Sequence, residues 1–265
     1  MSGSLVCVGI GMKLAAHITP ICQSHIENAD IVFSLLSCGI TEKWLEQKHH
    51  NIVNLQDYYA IGKPRNITYK EMVSAILTEV RSGKRVVAAF YGHPGVFACV
   101  AHRAIKKAND DGFNAFMEPG ISAADCLFAE LAIDPGKVGI QHFETSQFMF
   151  YKRVIDPSAY LVLWQLGMAG DRSLSKVVTD KRYRQVLMSL LCETYPADHE
   201  VILYETATIP LESVRNERVA LSQLPFVEVS QQTTLVVPPS QKIEKNDLIL
   251  KQLAGIDKQY LQLVE

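Results

Sequence analysis

The chain is predicted to be α/β and built as two domains, a parallel sheet in the N-terminal half and a mixed sheet in the C-terminal half. Three observations lead there. As far as Leu131, short apolar runs alternate with stretches at helical spacing, the pattern of consecutive strand-helix units with right-handed crossovers. Two of those runs pass through glycine-containing turns straight into helices, which puts loops at the carboxyl edge of a sheet, where open α/β folds bind ligands. Beyond Asp134-Pro135-Gly136 the apolar runs come closer together with fewer helices between them, as a mixed sheet requires. With 265 residues and 48% hydrophobic content, the chain exceeds one average domain and can fill a core in each half.

In chain order, Leu5-Val6-Cys7-Val8 reads as a buried strand ending in Gly9-Ile10-Gly11. A dinucleotide fingerprint would put a third glycine at position 14, which is Leu14, so this pair speaks against a nicotinamide cofactor. Thr19-Pro20 opens the next helix, threonine as N-cap and proline as first helical residue. Strands follow at 31–36 and 52–55 around a short helix at 41–48. Arg85 to Phe90 is the strand around which the chain is organised, because it leads into Tyr91-Gly92-His93-Pro94-Gly95-Val96-Phe97 and then a helix over 98–108. Here Gly92 and Gly95 are expected to let the backbone approach a ligand, with Pro94 stiffening the turn; a plain strand-to-helix turn is the alternative. A strand at 113–117 runs into Glu118-Pro119-Gly120-Ile121-Ser122-Ala123, with Ser122 placed for a polar ligand contact, and Leu127, Phe128 and Leu131 mark a helix face. The second half reads as strands at 138–143, 160–166, 201–206 and 233–239 and a helix at 184–195. From Ser240 the composition changes, and Ile249, Leu253, Ile256 and Tyr260 share one helical stripe, docked on its own domain or used at an interface. The divisions are therefore 1–134, 135–239 and a helical tail at 240–265.

The stretch Asp57-Tyr58-Tyr59 to Tyr69 carries the candidate chemistry. Thr68 and Glu71 have capping-box spacing, which starts a helix at Thr68 and leaves Arg65 in the preceding loop with Tyr69 on the first turn. A helix N-terminus and a guanidinium would both favour a phenolate, lowering the Tyr69 pKa from its usual ~10 toward a usable base. The alternative is a solvated charge beside a surface aromatic. Other classes are excluded more simply. A net charge of -2 with no basic patch argues against nucleic-acid or acidic-membrane partners. No run is long and apolar enough to span a bilayer, and no signal-peptide pattern follows Met1. Cys7, Cys22, Cys38, Cys99, Cys126 and Cys192 are too scattered for zinc or a disulfide framework, and His49, His50 and His142 lack metal-ligand spacing, so no metal is expected and the compartment reads as reducing and cytoplasmic.

Taken together, Gly9-Ile10-Gly11, Tyr91 to Phe97, Pro119 to Ala123, Trp164-Gln165-Leu166-Gly167 and Thr233-Thr234-Leu235 resemble the tetrapyrrole (corrin/porphyrin) methylase superfamily across residues 5–239. That resemblance implies a two-domain, dimeric methyltransferase with S-adenosylmethionine in the interdomain cleft and S-adenosylhomocysteine as product. Most members carry Gly-Asp-Pro in the pivot loop; here Gly92-His93-Pro94, with Tyr59, Arg65, Tyr69 and Tyr91, resembles the borosin branch, the peptide backbone α-N-methyltransferases of ribosomal natural products. It implies Tyr69 as base, Arg65 and Tyr59 stabilising charge on the amide oxygen, and Tyr91 orienting peptide and donor. It further implies cofactor contacts from Tyr91, His93, Val96, Phe97, Ser122, Ala123, Gln165, Leu166, Tyr204 and Thr234. Because the chain as given stops at Val264-Glu265, without a clasp or core peptide, it resembles the split type: a homodimer acting on a separate precursor, as a heterotetramer with two precursor chains. A small-molecule methylase acting on a precorrin-type tetrapyrrole is the alternative.

Overall fold

The structure is a computed structural model that describes residues 3–264, apart from Ser37, Ile61, Leu174, Val177 and Pro210, with 258–264 as backbone only. The N-terminal half runs β1 (Ser4–Gly9), α1 (Pro20–Glu27), β2 (Ile31–Leu35), α2 (Gly39–Glu46), β3 (Ile52–Asn54), α3 (Arg65–Arg81), β4 (Arg85–Phe90), α4 (Cys99–Asp110), β5 (Asn114–Glu118) and α5 (Ala123–Glu130). Its strands form one sheet in the order β3-β2-β4-β1-β5, every pair parallel. Leu5, Cys7, Val86, Ala88 and Phe90 share a core with α3 and α4, whereas Val6, Val8, Val87 and Ala89 share the opposite core with α1 and α2. Both faces of β1 and β4 are covered, so these strands read as continuous apolar runs without alternation.

The C-terminal half runs α6 (Pro135–Val138), β6 (Ile140–Glu144), α7 (Thr145–Phe150), β7 (Tyr160–Trp164), α8 (Lys181–Leu191), β8 (Glu200–Glu205), β9 (Arg215–Ala220), β10 (Thr234–Val237) and α9 (Asp247–Val264). Strand order is β6-β7-β10-β8-β9; only β6 and β7 are parallel, so the sheet is mixed as expected. Strand β9 escaped the sequence reading because it is a polar edge: Asn216, Glu217 and Arg218 are exposed, and charge on an edge strand blocks pairing with other chains.

Helix α5 follows the parallel sheet in sequence but packs on the mixed one, where Ala123, Ala124, Leu127 and Phe128 meet Val162, Trp164, Ile202, Tyr204 and Val236. The chain thus passes from one core to the other at Pro119-Gly120, ahead of the Asp134 break, and that turn lies between the two sheets. In α9 every side chain from Asp247 to Asp257 is exposed, so Ile249, Leu253 and Ile256 of the stripe are not docked on their own domain, while its fourth residue, Tyr260, lies outside the described side chains.

Candidate active site

Three loops at the carboxyl edge of the parallel sheet meet backbone to backbone. Gly11 N–H donates to the Gly92 carbonyl at 3.1 Å, and Gly92 N–H donates to the Gly11 carbonyl at 2.9 Å. A Cβ on Gly120 would lie 2.3 Å from the Gly92 carbonyl oxygen and 2.7 Å from the Gly9 Cα. Gly92 also needs its positive φ of 64°. Gly9 and Gly120 therefore serve loop-on-loop packing, and the expectation of open space fails at Gly95, where the place of a Cβ is filled by the His93 ring and the Met117 sulfur. The His93 ring itself closes the turn, accepting from Gly95 N–H at 2.9 Å through Nδ1. What this frame presents outward is apolar. Tyr91, Val96, Phe97 and Ile121 are all exposed, and Phe97 sits at a positive φ of 52° that turns it toward the second domain.

The tyrosine-arginine set lies at one end of α3. The helix starts at Arg65, not Thr68, with Pro64 as N-cap. The capping box does not form: Thr68 is buried inside the helix with its hydroxyl unpartnered among the described residues, and Glu71 instead pairs with Lys63. Pro64 ends the loop earlier because its fixed φ suits the residue before the first turn. The shift helps the site, since Arg65 and Tyr69 become an i,i+4 pair on one face. Across from them the Tyr59 ring meets the Tyr69 ring edge-on at 6.3 Å.

The electrostatics reverse one expectation. The Tyr69 phenol is held above its usual pKa, because loss of hydration outweighs the influence of the nearby Tyr59 hydroxyl and the pull of Arg65 and of Arg103. Tyr59 is pushed up further, first by desolvation and then by its neighbour Tyr69. Arg103, from α4, was missed in the sequence because nothing local links it to Tyr69; only the packing of α4 beside α3 brings it there.

The second domain supplies the facing wall. Phe97 meets the Trp164 ring at 5.8 Å across the domain boundary, and Trp164 Nε1–H donates to His142 Nδ1 at 3.0 Å while stacking on that ring. Beside it Gln165 adopts a left-handed conformation with φ of 60°, turning the chain so that Leu166 N–H donates to the Thr233 carbonyl at 2.8 Å. Several expected cofactor contacts are already engaged. Ser122 commits its hydroxyl and its amide to the capping box with Asp125 at the start of α5. The Tyr204 hydroxyl donates to Glu130 at 2.7 Å, and Glu130 also pairs with Lys13. Leu166, Tyr204 and Thr234 are buried. The expected residues therefore split. Tyr91, Val96 and Phe97 are exposed at the carboxyl edge and Phe97 meets Trp164 beside Gln165, whereas Ser122, Leu166, Tyr204 and Thr234 form the layer beneath. Arg65 also crosses between the domains, Nη2 donating to the Lys176 carbonyl at 2.5 Å.

A parallel α/β domain whose glycine loops face a mixed-sheet domain across an aromatic-lined boundary is the two-domain methylase architecture. The chain belongs to the tetrapyrrole (corrin/porphyrin) methylase family, whose profile matches residues 4–224. Its fold is similar to uroporphyrin-III-C-methyltransferase from Thermus thermophilus, with TM-score 0.62 at 18% identity over 90% of this chain and 93% of that one. It is equally similar to a diphthine synthase, with TM-score 0.62 at 15% identity over 91% of each chain. In sequence it is 39% identical over 256 residues to the methyltransferase/ribosomally synthesized cyclic peptide gymnopeptides precursor of Gymnopus fusipes, covering 95% of this chain and 61% of that one. To the type I borosin cyclic peptide precursor methyltransferase of Coprinopsis marcescibilis it is 37% identical, over 95% and 67%. To the omphalotin A precursor methyltransferase of Omphalotus olearius it is 36% identical, over 95% and 61%. The chain thus spans 61 to 67% of the length of these relatives.

Proposed function

We propose that this chain is an S-adenosylmethionine-dependent methyltransferase that methylates backbone amide nitrogens of a ribosomally made precursor peptide. The observation that carries this reading is its likeness, across 95% of its length, to enzymes named as methyltransferases joined to cyclic peptide precursors. The geometry supports it. Tyr91, Val96, Phe97 and Ile121 offer an exposed apolar surface at the carboxyl edge of the sheet, which suits an adenosyl group and a thioether chain. Tyr91, His93, Val96, Phe97, Ala123 and Gln165 would hold the cofactor, with Ser122, Leu166, Tyr204 and Thr234 supporting that wall from beneath.

When bound, S-adenosylmethionine supplies a methyl group on a sulfonium, a strong electrophile. An amide nitrogen is a poor nucleophile because its lone pair is delocalised into the carbonyl, so the remaining work is proton removal and charge stabilisation. Tyr69 first releases its own phenolic proton to solvent and as phenolate takes the amide proton on Oη, a step its raised pKa opposes and Arg65 and Arg103 favour. Arg65 and Tyr59 donate to the amide oxygen as it gains charge, and Tyr91 orients the peptide plane. Phe97 and Trp164 exclude water from the boundary between the domains. The precursor is proposed to be a separate chain and the assembly a cytoplasmic homodimer engaging two precursors; the exposed stripe on α9 supports a partner at that end of the chain. The test is tandem mass spectrometry of a candidate precursor peptide incubated with the protein and S-adenosylmethionine. Added methyls on backbone nitrogens are expected. Methyls appearing only on a tetrapyrrole substrate would overturn the reading.

A further inference from the structure

The contact between Arg65 and Lys176 joins positions 111 residues apart, and Lys176 belongs to no element of the site described above. Its main chain is held by one buried carboxylate. Asp171 is 3% exposed and accepts from Lys176 N–H at 3.0 Å, from Ser173 N–H at 2.9 Å and from the Ser173 hydroxyl at 2.6 Å. The Lys176 side chain is anchored away from Arg65, its ammonium donating to the Tyr183 hydroxyl and lying 4.3 Å from the centre of that ring. With the amide on Asp171 and the ammonium on Tyr183, the carbonyl is left facing Arg65. That carbonyl is the sole hydrogen-bond acceptor of Arg65 among the described residues. A guanidinium is planar with five donors in a fixed fork, so pinning one Nη sets the plane in which the rest point.

We propose that Asp171 is a positioning residue for methyl transfer: through the Lys176 carbonyl it fixes the Arg65 guanidinium plane so that its free edge meets the substrate amide oxygen. This rests on the role assigned to Arg65 in the proposed function. It also gives the buried Asp171 carboxylate a role, although neither it nor Lys176 lies in a helix or strand.

The perturbation is Asp171→Asn, which keeps size and the Ser173 bonds but turns an NH2 group toward the Lys176 amide, donor against donor. Ser173→Ala, which removes one bond to the carboxylate, is the milder companion should the first variant fold poorly. A displacement of the guanidinium by about 1 Å is expected to lower kcat by roughly 10- to 100-fold, leaving the dissociation constant for S-adenosylhomocysteine and the KM for peptide within about twofold. Two further readouts separate positioning from general damage. In an Arg65→Lys background, Asp171→Asn should add no further loss. The side-chain NMR resonance of Arg65, assigned by its disappearance in Arg65→Lys, should broaden in Asp171→Asn without any substrate present. Losses that multiply in the double variant, or an Arg65 resonance and kcat unchanged in a folded Asp171→Asn or Ser173→Ala, overturn the proposal. Wild-type turnover by Arg65→Lys would instead overturn the assigned role of Arg65, and the resonance alone would then decide whether Asp171 holds it.

Discussion

Gly120→Ala is the sharpest test of how the three carboxyl-edge loops are held. The substitution adds one methyl group at a position with no positive φ, so backbone strain is not the issue; contact is. The new Cβ would lie 2.3 Å from the Gly92 carbonyl oxygen, 2.7 Å from the Gly9 Cα and 2.9 Å from the Gly9 carbonyl carbon, against 3.4 Å for ordinary contact. All three are backbone atoms, so no side chain can swing aside, and the loops must separate by about 1 Å. Overpacking of this kind costs about 1–3 kcal/mol, which for a chain of this size lowers Tm by about 2–10 °C. The same displacement moves Tyr91 to Phe97 relative to Trp164, so cofactor affinity should fall by about tenfold or more. Calorimetric titration with S-adenosylhomocysteine and thermal melts measure both. Gly39→Ala is the control, because nothing lies within 4 Å of a Cβ there and the residue opens α2; it should be neutral or stabilising by about 0.5–1 kcal/mol. Unchanged affinity and Tm in Gly120→Ala would refute the reasoning.

Because burial raises the Tyr69 phenol, the absorbance titration of the free protein should show a step missing from Tyr69→Phe that lies above the ordinary tyrosine value of ~10; a step below it would restore the depressed base expected from sequence. The sign for stability follows. Phenols in the unfolded chain ionise first, so the contribution of Tyr59, Tyr69 and Tyr204 is intact below pH ~10 and is lost as pH rises through their raised folded values, which alkaline melts would record. Tyr195 is buried with its hydroxyl unpartnered among the described residues and its pKa pushed up to about 12, so Tyr195→Phe should be neutral or stabilising by about 1 kcal/mol in urea unfolding. If α9 holds the proposed dimer, removing residues 241–265 should reduce the mass measured by light scattering to that of a monomer; an unchanged mass with unchanged peptide binding would dismiss α9 as the interface.

Much of this protein was legible locally. Thr19 and Pro20 cap and open α1 as their types dictate, the buried apolar runs form the central strands, and the glycines that end β1 and β4 mark the loops that matter. The spacing of Arg65 and Tyr69 also survives, although the helix they share starts earlier than Thr68 suggested. These are properties of neighbours in sequence: propensity, capping and periodicity act over a few residues. What the tertiary structure alone decided involves groups far apart in the chain. Tyr204 looked available until Glu130, 74 residues away in the chain, took its hydroxyl. Helix α5 left the sheet it follows because its apolar face fits Val162, Ile202 and Val236. The Tyr69 phenol rose because desolvation, which depends on everything packed around it, exceeds the pull of two guanidiniums. Arg65 reaches Lys176 only because the folded domains bring the two together. Residue types and spacing determined which side chains could do chemistry; the sum of long-range packing decided which of them are free to do it.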